Sequence, residues 1–360
     1  MAQKKLRFRV LAVADITAAV STLMVAVPGA WLLKQGVWSL VWAYLVGASL
    51  GTTVLIVWGW RTYGWPLPRF RGADLAGYAS FGLYRTGALI LNFFNIRVAQ
   101  TLVGVLLGAQ TLGYYTVAAS LVLRPAGALN PILLQVTFPV LSELQEDAAR
   151  LRHWYFRTLH LMMLVAAPVA LGIAAVAPVA VPLLLGERWG ETVALVQALA
   201  FYALLRSPAI ANSSLLNARG KASWGVYWNL ILLLVVPPFA YLAILLGDEA
   251  LYGALTLAAI QLPLSLVNYR VFTAKLIGPS FAQYLRAVCV PIILAIVMSV
   301  AVIGAGSTLG GLAAGLRLSI EVCVGVGSYL ALSWLFQRGE LLDLVNGLRG
   351  GAGARGDSSS

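Results

Sequence analysis

Acidic residues are scarce in this sequence: 13 Asp and Glu stand against 25 Lys and Arg in 360 residues, and charged residues make up 11% of the chain. An ordinary soluble domain carries about a quarter charged residues, so a surface solvated by water on every side is excluded. Cysteine and histidine are rarer still. Cys289 and Cys323 sit inside apolar runs, and His153 and His160 are the two histidines. Nothing in their spacing suggests a disulfide framework or a metal centre. There is no GxxxxGK[ST] phosphate loop and no Ser/His/Asp or Cys/His constellation. Nucleotide hydrolysis, a bound cofactor and enzymatic catalysis are therefore not expected of these residues.

What fills the chain is apolar. Hydrophobic residues reach 60% and mean hydropathy is +0.86. A core of this size cannot hide so much apolar surface, so lipid must solvate much of it. Runs long enough to cross a bilayer, about 20 residues each, occur near 10–33, 37–59, 80–107, 111–141, 156–185, 192–217, 222–246, 250–274, 285–306 and 311–336. They are rich in Leu and Ala and lack a period of two, which disfavours strands. The expected fold is all-α, a polytopic membrane protein of about ten transmembrane helices. Pro125, Pro131, Pro168, Pro178, Pro208 and Pro237 mark expected kinks, which spanning helices tolerate. The first run contains Asp15 and is followed at once by another, so it reads as a retained helix, not a cleaved signal.

The net charge of +12 would suggest nucleic acid in a soluble protein. Its distribution points elsewhere. With a cytoplasmic N-terminus and alternating sides, 18 of the 25 basic residues fall on the cytoplasmic face. They include Lys4, Arg7, Arg61, Arg69, Arg150, Arg152, Arg219, Lys221, Arg270, Lys275 and Arg286. Lys34, Arg188 and Arg317 fall on the other face. That asymmetry is the positive-inside rule. Trp38, Trp58, Trp60, Trp65, Trp154, Trp189 and Trp334 fall near predicted helix ends, as an interfacial belt requires. Residues 142–157 read as an amphipathic surface helix, with Ser142 and Gln145 as a capping box and Leu144, Leu151 and Trp154 dipping into lipid.

The four remaining arginines, Arg85, Arg97, Arg124 and Arg206, lie inside predicted spans. Each costs about 2.5–3.5 kcal/mol at a helix centre on insertion scales. Within the spans only Asp15 and Glu321 offer carboxylates. Excess positive charge suits an anion, and the planar guanidinium fork matches phosphate. Asn92, Asn95 and Gln100 on the third span add polar company, as do Ser207, Asn212, Ser213 and Ser214 on the sixth. The candidate substrate-binding set is Arg97, Arg206, Arg124, Arg85, Asn92 and Asn95, with Arg97 and Arg206 foremost. A competing reading has Arg124 and Arg206 capping carbonyls freed by Pro125 and Pro208.

Several segments carry a family resemblance. Asn92 and Asn95, Leu107-Gly108, Leu112-Gly113-Tyr114-Tyr115, Pro125, Phe138-Pro139 and Leu141-Ser142 recur in order, followed by Gly186, Trp189, Leu205 and Gly220. In these the chain resembles the Wzx-type polysaccharide exporters, of the superfamily that holds the MATE exporters and the lipid II flippase MurJ. The resemblance implies two six-helix lobes around a central cavity, often with two extra helices. It implies flipping of undecaprenyl-diphosphate-linked oligosaccharide across the bacterial inner membrane for polysaccharide or O-antigen assembly. Implied partners are that lipid, membrane lipids, and the polymerase or glycosyltransferases of the same assembly; none is nucleic acid. Many relatives carry an Asp where this chain places Ala99, so no cation-coupling carboxylate carries over. The first two spans resemble the fifth and sixth helices of relatives, and about four N-terminal helices of the family have no counterpart. A misassigned gene start, a natural truncation and a completing partner each account for that.

The implied organisation is a remnant of the N-terminal lobe at 1–71, a C-terminal six-helix lobe at 72–280, two additional transmembrane helices at 281–338, and a disordered cytoplasmic tail at 339–360. A MATE-like small-molecule exporter and a non-transporting membrane subunit are the alternative functions. The topology itself is testable with an alkaline phosphatase reporter that is active only outside the cytoplasm. Fusions after Arg188 are expected to be active and fusions after Lys221 silent; the reverse pattern would invert the assignment.

Overall fold

The computed structural model describes residues 8–31, 36–64, 72–143 and 147–353. All the elements are helical: α1 (Phe8–Trp31), α2 (Val37–Tyr63), α3 (Gly72–Glu143), α4 (Ala148–Leu185), α5 (Glu191–Ala218), α6 (Ala222–Gly247), α7 (Ala250–Asn268), α8 (Ala274–Ile277), α9 (Phe281–Thr308) and α10 (Ala314–Gly353). Among the described residues, nine helical segments are long and apolar enough to cross a membrane. One of them, Thr86–Pro125, is 40 residues long and contains Gly108 at φ 85° and ψ 178°. That backbone is open to glycine alone, and it breaks α3 into two arms. The arms fold back on each other. A Cβ on Gly104 would meet the Leu112 side chain at 2.9 Å, and Ala99 shares a cleft with Tyr115 and Ala119. The broken segment therefore supplies two spans, and the fold is that of a multi-pass membrane protein.

The chain divides into two compact units, Met1–Ala76 and Gly77–Ser360. In the first, α1 and α2 pack through small residues. Gly47 approaches Thr22 and the Ala18 carbonyl, and Gly51 would place a Cβ 3.0 Å from that of Ala18. Ala14 and Ala43 are buried in the same seam. Spacing Ala43, Gly47 and Gly51 four apart lets the backbones close in. In lipid this tight packing drives association, since tails are as apolar as Leu.

In the second unit α4 is central, buried against α5 and α9. Leu151, Tyr155, Leu159, Met163 and Leu171 pack with Leu204 and Leu215 of α5 and with Tyr284, Leu294 and Met298 of α9. Outward faces are just as apolar: Leu234, Phe239 and Leu246 on α6, and Ile293, Val297 and Val300 on α9, are exposed. Such a surface is stable only against acyl chains. Prolines lie inside helices, including Pro168, Pro178 and Pro182 in α4 and Pro237 and Pro238 in α6. The residues around Pro125 and Pro131 remain helical.

Two local expectations are corrected. Ser142 is not the cap of a surface helix; it belongs to the end of α3, and Gln145 lies outside the described residues. The cap of α4 is Asp147, whose carboxylate accepts from the amides of Ala149 and Arg150 at 3.1 Å. Residues 148–157 are the first turns of the membrane helix itself, so Leu151 is buried in protein, not in lipid. At the other end, α10 breaks at Gln337 (φ −133°, ψ 26°) and continues to Gly353, through most of the segment expected to be a disordered tail.

The helices alternate direction, and this sorts the charges. Arg152 donates to the Ile277 carbonyl at 2.8 Å and Arg219 to that of Leu276 at 3.1 Å. The start of α4, the end of α5 and α8 thus share one basic end of the unit. The opposite end brings Glu191, Asp248 and Glu249 around the Gly108 turn. In the first unit, Gly47→Leu is expected to overpack the seam and cost about 1–3 kcal/mol. Gly59→Leu on the same helix meets open space and is the matched control. Thermal unfolding in detergent separates them: equal midpoints would mean the seam is not formed.

Candidate functional site

Arg206 stands 15 residues into α5, which at 1.5 Å per residue is about 22 Å along the helix. At that depth its guanidinium needs partners from protein. One N–H donates to the Tyr202 hydroxyl at 3.2 Å, one turn earlier on α5. Another donates to Oδ1 of Asn92 on α3, also at 3.2 Å. The cation lies 5.9 Å from the Tyr202 ring centroid. These partners are neutral. Neither is a backbone carbonyl, although Pro208 lies two residues on, so backbone capping does not account for Arg206. Near that proline, hydroxyls serve the backbone instead: Ser207 donates to the Ala203 carbonyl at 2.9 Å and Ser265 to that of Leu205 at 3.1 Å.

Asn95 lies one turn from Asn92 and joins α3 to α6. Its amide donates to the Asn229 carbonyl at 2.9 Å, while Asn229 bonds back to the Gly225 carbonyl at 2.8 Å. Between these pairs lies a narrow cleft of about 20 Å³, lined by Asn95, Ala99, Gln100, Tyr115, Tyr202 and Arg206. It is wide enough for about one water molecule. Ala99, where a carboxylate was expected in relatives, faces this space, so the cleft carries a cation and no described carboxylate.

The six sequence candidates therefore separate. Asn92, Asn95 and Arg206 converge. Arg97 is exposed on α3, where it donates to Gln100 at 2.8 Å and lies 5.7 Å from the Phe93 ring centroid. Arg124 is also exposed. The Arg85 side chain lies outside the described residues. The remaining span carboxylates stand apart: Asp15 is exposed on α1, and Glu321 pairs with Arg317 at 2.9 Å within α10.

Residues 1–194 match the polysaccharide biosynthesis protein family. The chain belongs to that family. Among curated relatives it is 27% identical to the lipopolysaccharide biosynthesis protein WzxC of Escherichia coli (strain K12), over 82% of this chain and 59% of WzxC. It is 25% identical to the teichuronic acid biosynthesis protein TuaB of Bacillus subtilis (strain 168), over 92% of this chain and 68% of TuaB. It is also 25% identical to the amylovoran biosynthesis protein AmsL of Erwinia amylovora, over 70% of this chain and 64% of AmsL. Its fold matches the lipid II flippase MurJ in an inward closed conformation, with a TM-score of 0.68 at 12% identity, over 92% of this chain and 68% of that one. The chain thus spans about three-fifths of WzxC and about two-thirds of the MurJ chain.

This family member also holds a polar cluster that sequence reasoning missed. Asn212 donates to Asn268, Thr273 donates to Asn212 at 3.1 Å, and the Tyr155 and Thr273 hydroxyls lie 3.3 Å apart. A single π-type turn, Tyr269–Thr273, brings Thr273 into place. Such turns recur at functional sites. Only Asn212 had been marked, by its polarity in a span. Tyr202 was legible in principle, because i and i+4 share a helix face; Asn229 was not, because nothing in the sequence pairs α3 with α6. A double-mutant cycle on Arg206→Leu and Asn92→Leu, read by reversible unfolding in detergent, is expected to show a coupling of about 0.5–3 kcal/mol. Additive effects would mean the pair does not form.

Proposed function

We propose that the chain takes part in flipping an undecaprenyl-diphosphate-linked oligosaccharide across the bacterial inner membrane, with N- and C-termini cytoplasmic, and that Arg206 is its foremost phosphate ligand. One observation carries this reading: a part-buried guanidinium midway along α5 is held by neutral groups in a cleft without a described carboxylate. A guanidinium has five N–H donors, and the described contacts engage two of them. Asn92 and Tyr202 orient the fork, so the remaining donors can meet phosphate oxygens bidentately.

The narrowness of the cleft fits a resting, closed arrangement. Reaching a diphosphate requires α3 and α5 to separate, which would exchange the Asn92 contact for substrate oxygens. This is the local form of alternating access, in which packed bundles rock about a central site. Arg97, Arg124 and Arg85 are proposed as further cationic contacts along the path, with the 72–280 segment acting as the C-terminal lobe. The same assignment makes the chain a transporter, not an enzyme, working beside the polymerase or glycosyltransferases of polysaccharide assembly. A small-molecule exporter of cations finds no support in a site with this charge.

Two measurements test it. Undecaprenyl diphosphate binding to the purified chain in nanodiscs is expected to weaken about tenfold in Arg206→Ala, the loss of a charge-assisted hydrogen bond of about 1.5–3 kcal/mol. Flipping of a fluorescent undecaprenyl-diphosphate sugar in proteoliposomes should fall with it. Unchanged binding in Arg206→Ala would remove the arginine from the site; intact binding without flipping by the wild-type chain would refute translocation by this chain alone.

A further inference from the structure

The polar cluster at the π-type turn forms one wall of a small cavity of about 10 Å³. The space lies inside the larger unit where α4, α5, α6, α7 and α9 meet, and its polar lining includes Tyr155, Gln261, Ser265, Asn268, Thr273 and Tyr284. Gln261 stands 11 residues into α7, about 17 Å along that helix, so the cavity sits within the span. None of these residues lines the Arg206 cleft.

Several groups on the wall are already engaged. Thr273 donates to Asn212 at 3.1 Å and lies 3.3 Å from the Tyr155 hydroxyl. Ser265 donates to the carbonyls of Leu205 and Gln261 at 3.1 and 2.7 Å. Three groups are left over. The Gln261 side chain, in a residue 8% exposed, makes no hydrogen bond to a described residue. Asn268 accepts from Asn212 through Oδ1, but its Nδ2 hydrogens meet no described acceptor. The Tyr284 hydroxyl, in a residue 6% exposed, has no described partner either. Amides and hydroxyls buried in this way are costly unless something completes their bonds.

The size and charge of the cavity select what does so. Its volume matches about one water molecule, which needs two to four polar partners. An alkali cation of similar size fits poorly. No carboxylate lines the space among the described residues, and Asn268 brings N–H groups that repel a cation. An uncompensated charge at this depth is far more costly than a neutral dipole.

We propose that this cavity is a binding site for one structural water, held by Gln261, Asn268 and Tyr284 beside the π-type turn. Bonded to Tyr284 and to an amide of α7, the water joins α9 to α7 where side chains alone leave their donors unmet. The site is independent of whether Arg206 binds the transported lipid.

X-ray radiolytic labelling of the full chain in detergent tests it, because hydroxyl radicals form from water where the water is held. Tyr284 is expected to be modified several-fold faster than Tyr329, which is 7% exposed and whose hydroxyl donates to the Leu164 carbonyl at 2.8 Å. Gln261→Met keeps the side-chain length and removes the amide; it should lower labelling of Tyr284 several-fold and leave Tyr329 unchanged. The contrast between the two tyrosines in the unmodified chain decides the question even where that variant does not fold. Thermal midpoints in sodium, potassium and choline chloride at equal concentration are expected to coincide. Labelling of Tyr284 no faster than that of Tyr329, or undiminished in Gln261→Met, overturns the proposal. A midpoint raised by one alkali cation would overturn the water and assign the cavity to that ion.

Discussion

Inside a bilayer there is no water to satisfy a polar group, and each one must find its partner within the protein. This constraint orders the whole structure. It makes every described element a helix, whose backbone closes on itself. It also decides where the helix may be interrupted. The Gly108 break lies at the end of the unit, beside the carboxylates of Glu191, Asp248 and Glu249. The π-type turn at Tyr269–Thr273 is buried, but hydroxyls and amides of Tyr155, Asn212 and Asn268 surround it. Irregular backbone occurs where protein supplies what lipid cannot.

The same constraint explains α5, which carries the unit's polar side chains from its middle toward its basic end. Arg206 meets Asn92 and Tyr202, and two turns on Asn212 meets Asn268 and Thr273. Neutral polar partners hold each group without cancelling charge. For Asn212 this fastens α5 to α7 and the π-type turn. For Arg206 it leaves a cation between α3 and α5 with no described carboxylate beside it, which is what the proposed anionic substrate would need. Glu321 shows the contrast: its pairing with Arg317 closes locally on α10 and leaves no surplus charge.

Membership in the polysaccharide biosynthesis protein family agrees with that chemistry without replacing it. Relatives named for lipopolysaccharide, teichuronic acid and amylovoran biosynthesis differ in the glycans they serve. The proposed recognition of charge, and not of sugar, is compatible with such variety. The basic end of the larger unit gathers positive charge as well. There arginines are drawn to one membrane face by topology, and three of them line a cavity.

Class, span positions and charge asymmetry were set by the amino-acid sequence alone. Long apolar runs leave a chain no stable state in water, and basic residues resist crossing the membrane whatever the helices do afterwards. The interruption between the runs at 80–107 and 111–141 was legible too, but that Gly108 would carry it was seen only in the structure. Tertiary structure decided which intramembrane arginine meets a partner on another helix. Arg97 and Arg206 look alike in sequence, each a cation near the middle of an apolar run, yet Arg97 is exposed on α3 while Arg206 turns toward Asn92. That outcome depends on the rotation and contact of helices more than a hundred residues apart. No local pattern encodes it, because the energy that settles it comes from packing between helices.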